Sequence, residues 1–266
     1  MTPQLFCSDV DGTLLDRNRQ ISAATAREVR RHTAAGRPFL LTSSRMPRAM
    51  THLQVDLGIT GQPLIAYNGA YVIANGKTLH SRPIPLNVVA AVVEQGEELG
   101  LSVQLFYEDE WYAGATDAYT EREQRNTRTP ITIRPLNDVL RSWATAGHGA
   151  HKVMVMGAPA RIDELVEFLN PSPVHAYRSK DDYLELADGN ISKLTGLEVL
   201  LSAQYSTLTT RDCAAFGDNY NDIDLLRGVG LGCAVGNARP EVKAVADRVL
   251  AANVDDGVAH LLAEMD

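Results

Sequence analysis

The chain has 266 residues, 45% of them hydrophobic and 22% charged, with a net charge of −8 at neutral pH. At roughly 100 to 200 residues per domain, this globular composition makes one large domain or two smaller ones. The acidic balance excludes nucleic acid and anionic membranes as default partners, because binding a polyphosphate starts from a basic footprint; a phosphate site here must bring its own local cations. The opening MTPQLFCSDV carries no basic segment ahead of a long apolar one, and no apolar run reaches bilayer length, so a soluble, unexported, cytoplasmic protein is expected. Cys7, Cys213 and Cys233 are an odd number without C-x-x-C spacing, which reads as buried reduced thiols rather than a disulfide framework or a zinc site.

In chain order, QLFCSD predicts a short buried strand and ISAATAREVRRHTAAG an amphipathic helix, with Ser22 as N-cap and Gly36 as its stop. PFLLTSSR reads as the next strand and MPRAMTHLQVDLG as the next helix. This strand–helix alternation predicts a doubly wound parallel sheet. It resumes near the other end with ISKLTGLEVLLSAQYS as helix, DCAAFGD as strand and NDIDLLRGVG as helix, followed by strand GLGCAVG, helix RPEVKAVA and strand RVLAA. Between Pro83 and Leu186 the character changes. PLNVVAAVVEQGEELG, LSVQLFYEDEWYAG, TPITIR, HKVMVMGA, ARIDELVEFLN and YRSKDDYLELA mix helices with alternating strands, as α+β domains with antiparallel sheets do. The expected organisation is an α/β core over 1–82 and 187–266 with an inserted α+β domain over 83–186.

Chemistry gathers where the core strands end. In DVDG, Asp9 and Asp11 stand two apart, so on a strand both carboxylates face one pocket, held together by a cation between them or by one staying protonated. By itself D-x-D-G also fits a turn. After PFLL come Thr42, Ser43, Ser44 and Arg45, whose hydroxyls and backbone N–H groups suit a phosphate oxygen and equally suit a helix cap. After CAAF, the run GDNYND offers Asp218, Asn221 and Asp222, hard oxygen donors of the kind Mg²⁺ takes. Lys193 opens the helix before that strand. Ligands of open α/β sheets bind outside the carboxyl ends of the strands, and one metal–phosphate site accounts for all of these residues together.

DVDGTLLD, TSSR, NISK and GDNYND, in that order, resemble the four motifs of the haloacid dehalogenase superfamily. The tail GCAVGNARPEVKAVADRVLAANVDDGVAHLL and the stretch YNGAYV, with Asn68 and Gly69, are similar to its Cof-type, subclass IIB hydrolases, which carry a large α/β cap between the second and third motifs. The likeness is strong over 1–82 and 187–266 and weaker across the cap. The resemblance implies a HAD-like core and a Mg²⁺-dependent phosphatase of small phosphorylated metabolites, sugar phosphates or phosphorylated cofactors. Its partner would be a small-molecule phosphate ester, with no nucleic acid and no membrane, and the protein would be a monomer or weak homo-oligomer. Asp9 would be the nucleophile forming an aspartyl-phosphate, and Asp11 the acid for the leaving alcohol and then the base for water. Mg²⁺ would take Asp9, Asp218 and the carbonyl of Asp11, with Asp222 ligating directly or through water. Ser43 and Lys193 would hold the phosphate, Lys193 also pairing with Asp9. Gly12 would turn the chain around the phosphate, the Thr13 hydroxyl would orient Asp11, and Ser44, Arg45, Asn68, Gly69 and Asn221 would complete the substrate site. Where the family has Thr-Gly-Arg this chain has Ser43-Ser44-Arg45, with Thr42 a competing phosphate ligand; where the family lysine precedes glycine, Leu194 follows Lys193 and Gly196 comes two later. The cap would set specificity, with Glu108, Asp109, Trp111, Tyr112, Arg128 and Lys180 as candidate contacts. A sugar phosphomutase of the same superfamily and a receiver-like phospho-signalling module are the other readings.

Overall fold

A computed structural model describes residues 2–265 apart from 171. The chain divides into two compact units, Met1–His80 with Ser192–Asp266, and Ser81–Ile191. It begins with β1 (Leu5–Ser8), α1 (Ala23–Ala34), β2 (Phe39–Thr42), α2 (Arg48–Leu57), β3 (Leu64–Ala66), β4 (Tyr71–Ala74) and β5 (Lys77–Ser81). The inserted unit then supplies α3 (Leu86–Glu98), β6 (Ser102–Tyr107), β7 (Glu110–Ala113), α4 (Ala118–Thr127), β8 (Thr132–Ile133), α5 (Leu136–Ala146), β9 (Lys152–Met156), α6 (Pro159–Leu169), β10 (Val174–Lys180) and β11 (Tyr183–Asp188). The first unit resumes with α7 (Lys193–Gln204), β12 (Cys213–Gly217), α8 (Ile223–Gly228), β13 (Leu231–Ala234), α9 (Pro240–Lys243), β14 (Arg248–Val249) and α10 (Gly257–Ala263).

The core sheet runs β14-β13-β12-β1-β2-β3-β4-β5. Pairing is parallel from β14 to β3, as the strand–helix alternation requires, and β4 pairs antiparallel with β3. That antiparallel edge is an addition to the expected parallel sheet. The central strands β1, β2 and β12 are buried along their whole length, which explains why they read as continuous apolar runs rather than alternating ones. Phe6, Phe39 and Phe216, one from each, pack with ring centroids 6.3–6.4 Å apart. Burying each ring is worth roughly 1.5–3 kcal/mol. Helix α1 starts at Ser22, whose hydroxyl accepts from the Thr25 N–H at 3.0 Å, and buries Ala26, Val29 and His32 at helical spacing. Cys7, Cys213 and Cys233 are buried free thiols, and burial pushes the latter two up to about 12, so they are inert at neutral pH.

The inserted unit is a six-stranded sheet, β10-β11-β9-β6-β7-β8, antiparallel except for β7 with β8. Val103, Leu105, Val153, Val155, Leu184 and Leu186 cluster with Val89, Val93, Val139, Trp143, Ile162 and Leu165 of helices α3, α5 and α6. Of the expected contacts here, Trp111 is buried, stacked on Phe106 at 5.5 Å with its indole N–H on Gln104. Tyr112 meets Trp143 edge-on. Glu108 stands in a left-handed turn with its backbone N–H on His151, beside Asp109; Arg128 caps the end of α4, and Lys180 ends β10. Among the described residues no helix is long and apolar enough to cross a membrane.

Candidate active site

Parallel pairing in register brings the carboxyl ends of β1, β2 and β12 to one edge: Ser8 lies beside both Leu41 and Phe216, and the Asp9 N–H donates to the Phe216 carbonyl at 3.0 Å. The residue that follows each strand therefore emerges at the same edge. Asp9 follows β1, Ser43 follows β2 and Asp218 follows β12, while α7 delivers Lys193 from its first residue. The α7 start is fixed by a reciprocal cap between Ser192 and Thr195. It can approach β3 because Gly69 and Gly196 meet there: a Cβ on Gly69 would strike the Ser192 carbonyl oxygen, and one on Gly196 would lie 2.9 Å from the Gly69 Cα. Gly196 thus serves close packing in this chain even though Leu194 follows the lysine.

Lys193 is fully buried, its ammonium donating to Asp9 Oδ1 at 2.6 Å and to Asp222 Oδ1 at 2.5 Å. Burial alone would lower its pKa; Asp222 and Asp9 outweigh burial and hold it above the ordinary lysine value. Asp9 is buried too, and burial pushes its carboxyl up against the pull of Lys193, with Asp222 and Asp218 adding to the rise. The second oxygen of Asp222 accepts from the N–H groups of Asp218 and Asn219 at 2.9 and 3.0 Å, so both its oxygens are engaged. Asp9 Oδ2, by contrast, is buried with no hydrogen-bond partner among the described residues.

Asp11 is arranged differently from the strand-alternation reading. Strand β1 ends at Ser8, and Gly12, at φ +85°, turns the chain; a Cβ there would collide with the Asp218 carboxylate. The Asp11 carboxylate is therefore turned to arginines and is not among the carboxylates grouped around Asp9. Arg45 forks onto Asp11 with Nε at 2.6 Å and Nη2 at 2.8 Å, and Arg19 adds Nη1 at 2.9 Å. Burial would raise Asp11, but Arg45, helped by Arg19, holds it below the ordinary carboxylate value. In this arrangement Asp11 is an ionised acceptor, equipped as a base.

The other expected residues fall around this pair. The Thr13 hydroxyl donates to Asp218 Oδ1 at 3.0 Å instead of to Asp11. Arg45 is engaged by Asp11 and by the Ala49 carbonyl at 3.1 Å. The Ser43 hydroxyl oxygen accepts from the Arg45 N–H at 3.3 Å and keeps its own proton to give; the Thr42 hydroxyl is buried with no hydrogen-bond partner among the described residues, and Ser44 is half-buried. Asn68, left-handed at φ 56°, accepts from the Asn221 amide at 3.0 Å, tying the turn after β3 to the turn after β12. Three supporting residues were not singled out from the sequence. Arg19 is one. Asn237 donates to the Gly12 carbonyl at 2.7 Å, and the Arg239 N–H donates to the Asp218 carbonyl at 3.0 Å, so the GNARPE tail braces both acidic loops. The tail's similarity to Cof-type hydrolases was the signal for these last two; for Arg19 there was none.

Asp9, Asp218 and Asp222 each offer a carboxylate oxygen within 4.8 Å of the others, a group that could hold a metal ion. The donors are all oxygen, as hard divalent cations require. Against these three carboxylates stands one ammonium, Lys193, so the cluster carries two excess negative charges. Burial and Asp222 push Asp218 up to about 6, the mark of carboxylates crowded without enough positive charge. A divalent cation held by Asp9 and Asp218 fits this imbalance, with Asp222 held back by Lys193 and the backbone.

Comparison with known proteins agrees with this geometry. Residues 6–262 match the haloacid dehalogenase-like hydrolase family. The HMP-PP phosphatase of Yersinia pseudotuberculosis is 28% identical over 97% of this chain and 94% of its own. A haloacid dehalogenase-like hydrolase from Bacteroides thetaiotaomicron superposes with a TM-score of 0.87 at 26% identity, covering 98% of each chain. A subclass IIB sugar phosphatase shares the fold at a TM-score of 0.83 and 19% identity, covering 98% of each chain. The chain belongs to the haloacid dehalogenase-like hydrolases.

Proposed function

We propose that this protein hydrolyses phosphate monoesters of small metabolites by way of a phosphorylated Asp9, with Mg²⁺ as its divalent cation. It is a phosphatase of the haloacid dehalogenase type. The observation that carries the covalent route is the state of Asp9, whose Oδ1 is fixed by the Lys193 ammonium while its Oδ2 meets no donor among the described residues. An oxygen so placed is oriented and uncommitted, which is what attack on phosphorus needs. Lys193 pulls Asp9 toward its anionic, nucleophilic form against its burial and stands ready for the phosphate's own charge. Ser43 has a hydroxyl proton to give to a phosphoryl oxygen. Asp11 takes the proton of the water that cleaves the phospho-enzyme, and the protonated Asp11 so formed gives that proton to the departing alkoxide of the next ester, its arginines stabilising the ionised form between the two steps. Bound Mg²⁺ supplies charge neutralisation between the phosphate and the carboxylates of Asp9 and Asp218. The HMP-PP phosphatase among the relatives supports a small phosphorylated metabolite as substrate. The test is turnover of 4-nitrophenyl phosphate by metal-stripped protein. Activity restored by Mg²⁺ and poorly by Ca²⁺ is expected, and full activity after exhaustive chelation rejects the metal assignment.

A further inference from the structure

We propose that Arg19 is a substrate-binding residue that selects phosphate esters whose leaving group carries a second anionic group, a carboxylate or another phosphate. The inference rests on the assignment of Asp11 to the leaving-group oxygen. A cation that touches Asp11 from outside then stands beside the departing part of the substrate.

Two arginines meet Asp11, and they are not alike. Arg45 is 5% exposed in its side chain, forks onto both Asp11 oxygens and also holds the Ala49 carbonyl, so it alone gives Asp11 a bidentate partner. Arg19 is 40% exposed and makes one side-chain hydrogen bond among the described residues, Nη1 to Asp11 Oδ1 at 2.9 Å. A guanidinium has five N–H donors in a rigid fork matched to carboxylate and phosphate, and four of those on Arg19 are uncommitted. Its placement is built. Asp16 Oδ1 accepts from the N–H groups of Asn18 and Gln20 at 2.8 and 2.9 Å, while the Asp16 N–H donates to the Gln20 carbonyl and the Arg19 N–H to the Asp16 carbonyl, each at 3.0 Å. This closed turn puts Arg19 at φ 58°, a left-handed conformation that a side chain other than glycine or asparagine adopts at a cost. A solvated surface arginine needs no such turn. The charge inventory points the same way: the cluster of Asp9, Asp218 and Asp222 repels any anion beyond the phosphate it is built to take, so a doubly anionic ester needs a cation away from that cluster.

The experiment compares kcat/KM for three esters of one carbon skeleton: glycerol 3-phosphate, with a neutral leaving group; 3-phosphoglycerate, with a carboxylate; and glycerol 1,3-bisphosphate, with a second phosphate. Where an ester turns over too slowly, its inhibition constant against 4-nitrophenyl phosphate takes the place of kcat/KM. Arg19→Met should lower the ratio of an anionic ester to glycerol 3-phosphate about tenfold, the worth of one charge-assisted hydrogen bond. Arg19→Lys should recover part of that ratio. A fall with the carboxylate or with the second phosphate assigns the preferred anion and supports the proposal. Ratios within about twofold of wild type for both anionic esters, whatever happens to the absolute rates, mean that Arg19 only braces Asp11 and overturn it. Absence of any turnover by wild-type protein with Mg²⁺ is the distinct result that rejects the phosphatase reading, and the inference with it.

Discussion

Replacing Lys193 by Met keeps most of the side chain's length and deletes its charge. The two bonds lost, 2.6 Å to Asp9 and 2.5 Å to Asp222, are both charge-assisted and buried. At about 1.5–3 kcal/mol each, their loss costs several kcal/mol. Removing one partner of a buried ion pair costs about 3–5 kcal/mol, because the remaining charge stays buried and unpaired, and here two carboxylates are left facing each other. Lys193→Met should therefore lower the stability of the first unit by about 3–5 kcal/mol at pH 7 without metal. The assay is urea unfolding followed by two signals. Both tryptophans, Trp111 and Trp143, lie in the Ser81–Ile191 unit, so their fluorescence reports that unit while circular dichroism reports the whole chain. The loss should appear in the dichroism transition and much less in the fluorescence one, and turnover should fall about a hundred- to a thousandfold, the order of effect for removing an electrostatic stabiliser of the transition state. A folded Lys193→Met protein with unchanged transitions and a tenth of wild-type activity would refute the buried-pair reasoning.

Gly12→Ala places a methyl against the Asp218 carboxylate at a left-handed backbone position, so it should weaken the apparent affinity for Mg²⁺ about tenfold, read by titrating activity with the metal; an unchanged titration would show that the turn has room to adjust. His32 is buried, with Nε2 2.8 Å from the Leu262 carbonyl and Nδ1 without a hydrogen-bond partner among the described residues, and burial holds its pKa below the usual 6.5. The unfolded chain takes up a proton that folded His32 refuses, so this contribution to stability is complete above pH 6.5 and declines as pH falls below it. His32→Gln should flatten that part of the stability–pH curve, measured by urea unfolding at several pH values.

Much of the site was legible because it sits where buried strands stop. Apolar runs ending in DVDG, TSSR and GDNYND announce parallel strands whose polar termini share one edge, and Asp9 and Asp218 follow from that register, while Lys193 arrives with the start of α7. The pairings between side chains were not legible. Thr13 lies on Asp218 and Arg45 on Asp11 because the chain leaves strand geometry at Asp9 and turns at Gly12, and a period-two argument does not survive a turn. Arg19 was invisible for a related reason: its position depends on a turn held by Asp16, with no apolar period to reveal it. The β4–β5 edge carried its own signal, the Asn75-Gly76 dipeptide after the short apolar run YVIA, a hairpin mark that the reading for parallel alternation passed over. Helix α4 is polar nearly throughout, AYTEREQRNT, and only the reciprocal cap between Asp117 and Thr120 marks its start.

The central claim is that phosphate passes through Asp9, and rapid acid quench of the wild-type protein with 4-nitrophenyl phosphate and Mg²⁺, followed by mass spectrometry of the peptide spanning residues 5–15, tests it most directly. The account predicts phosphate on Asp9 within the first turnover, forming with a burst of nitrophenolate and decaying at the rate of phosphate release, and absent from folded Asp9→Asn protein, which should not turn over. Nitrophenolate release with no phosphorylated peptide at any quench time, together with a tenth or more of wild-type rate in Asp9→Asn, would contradict it.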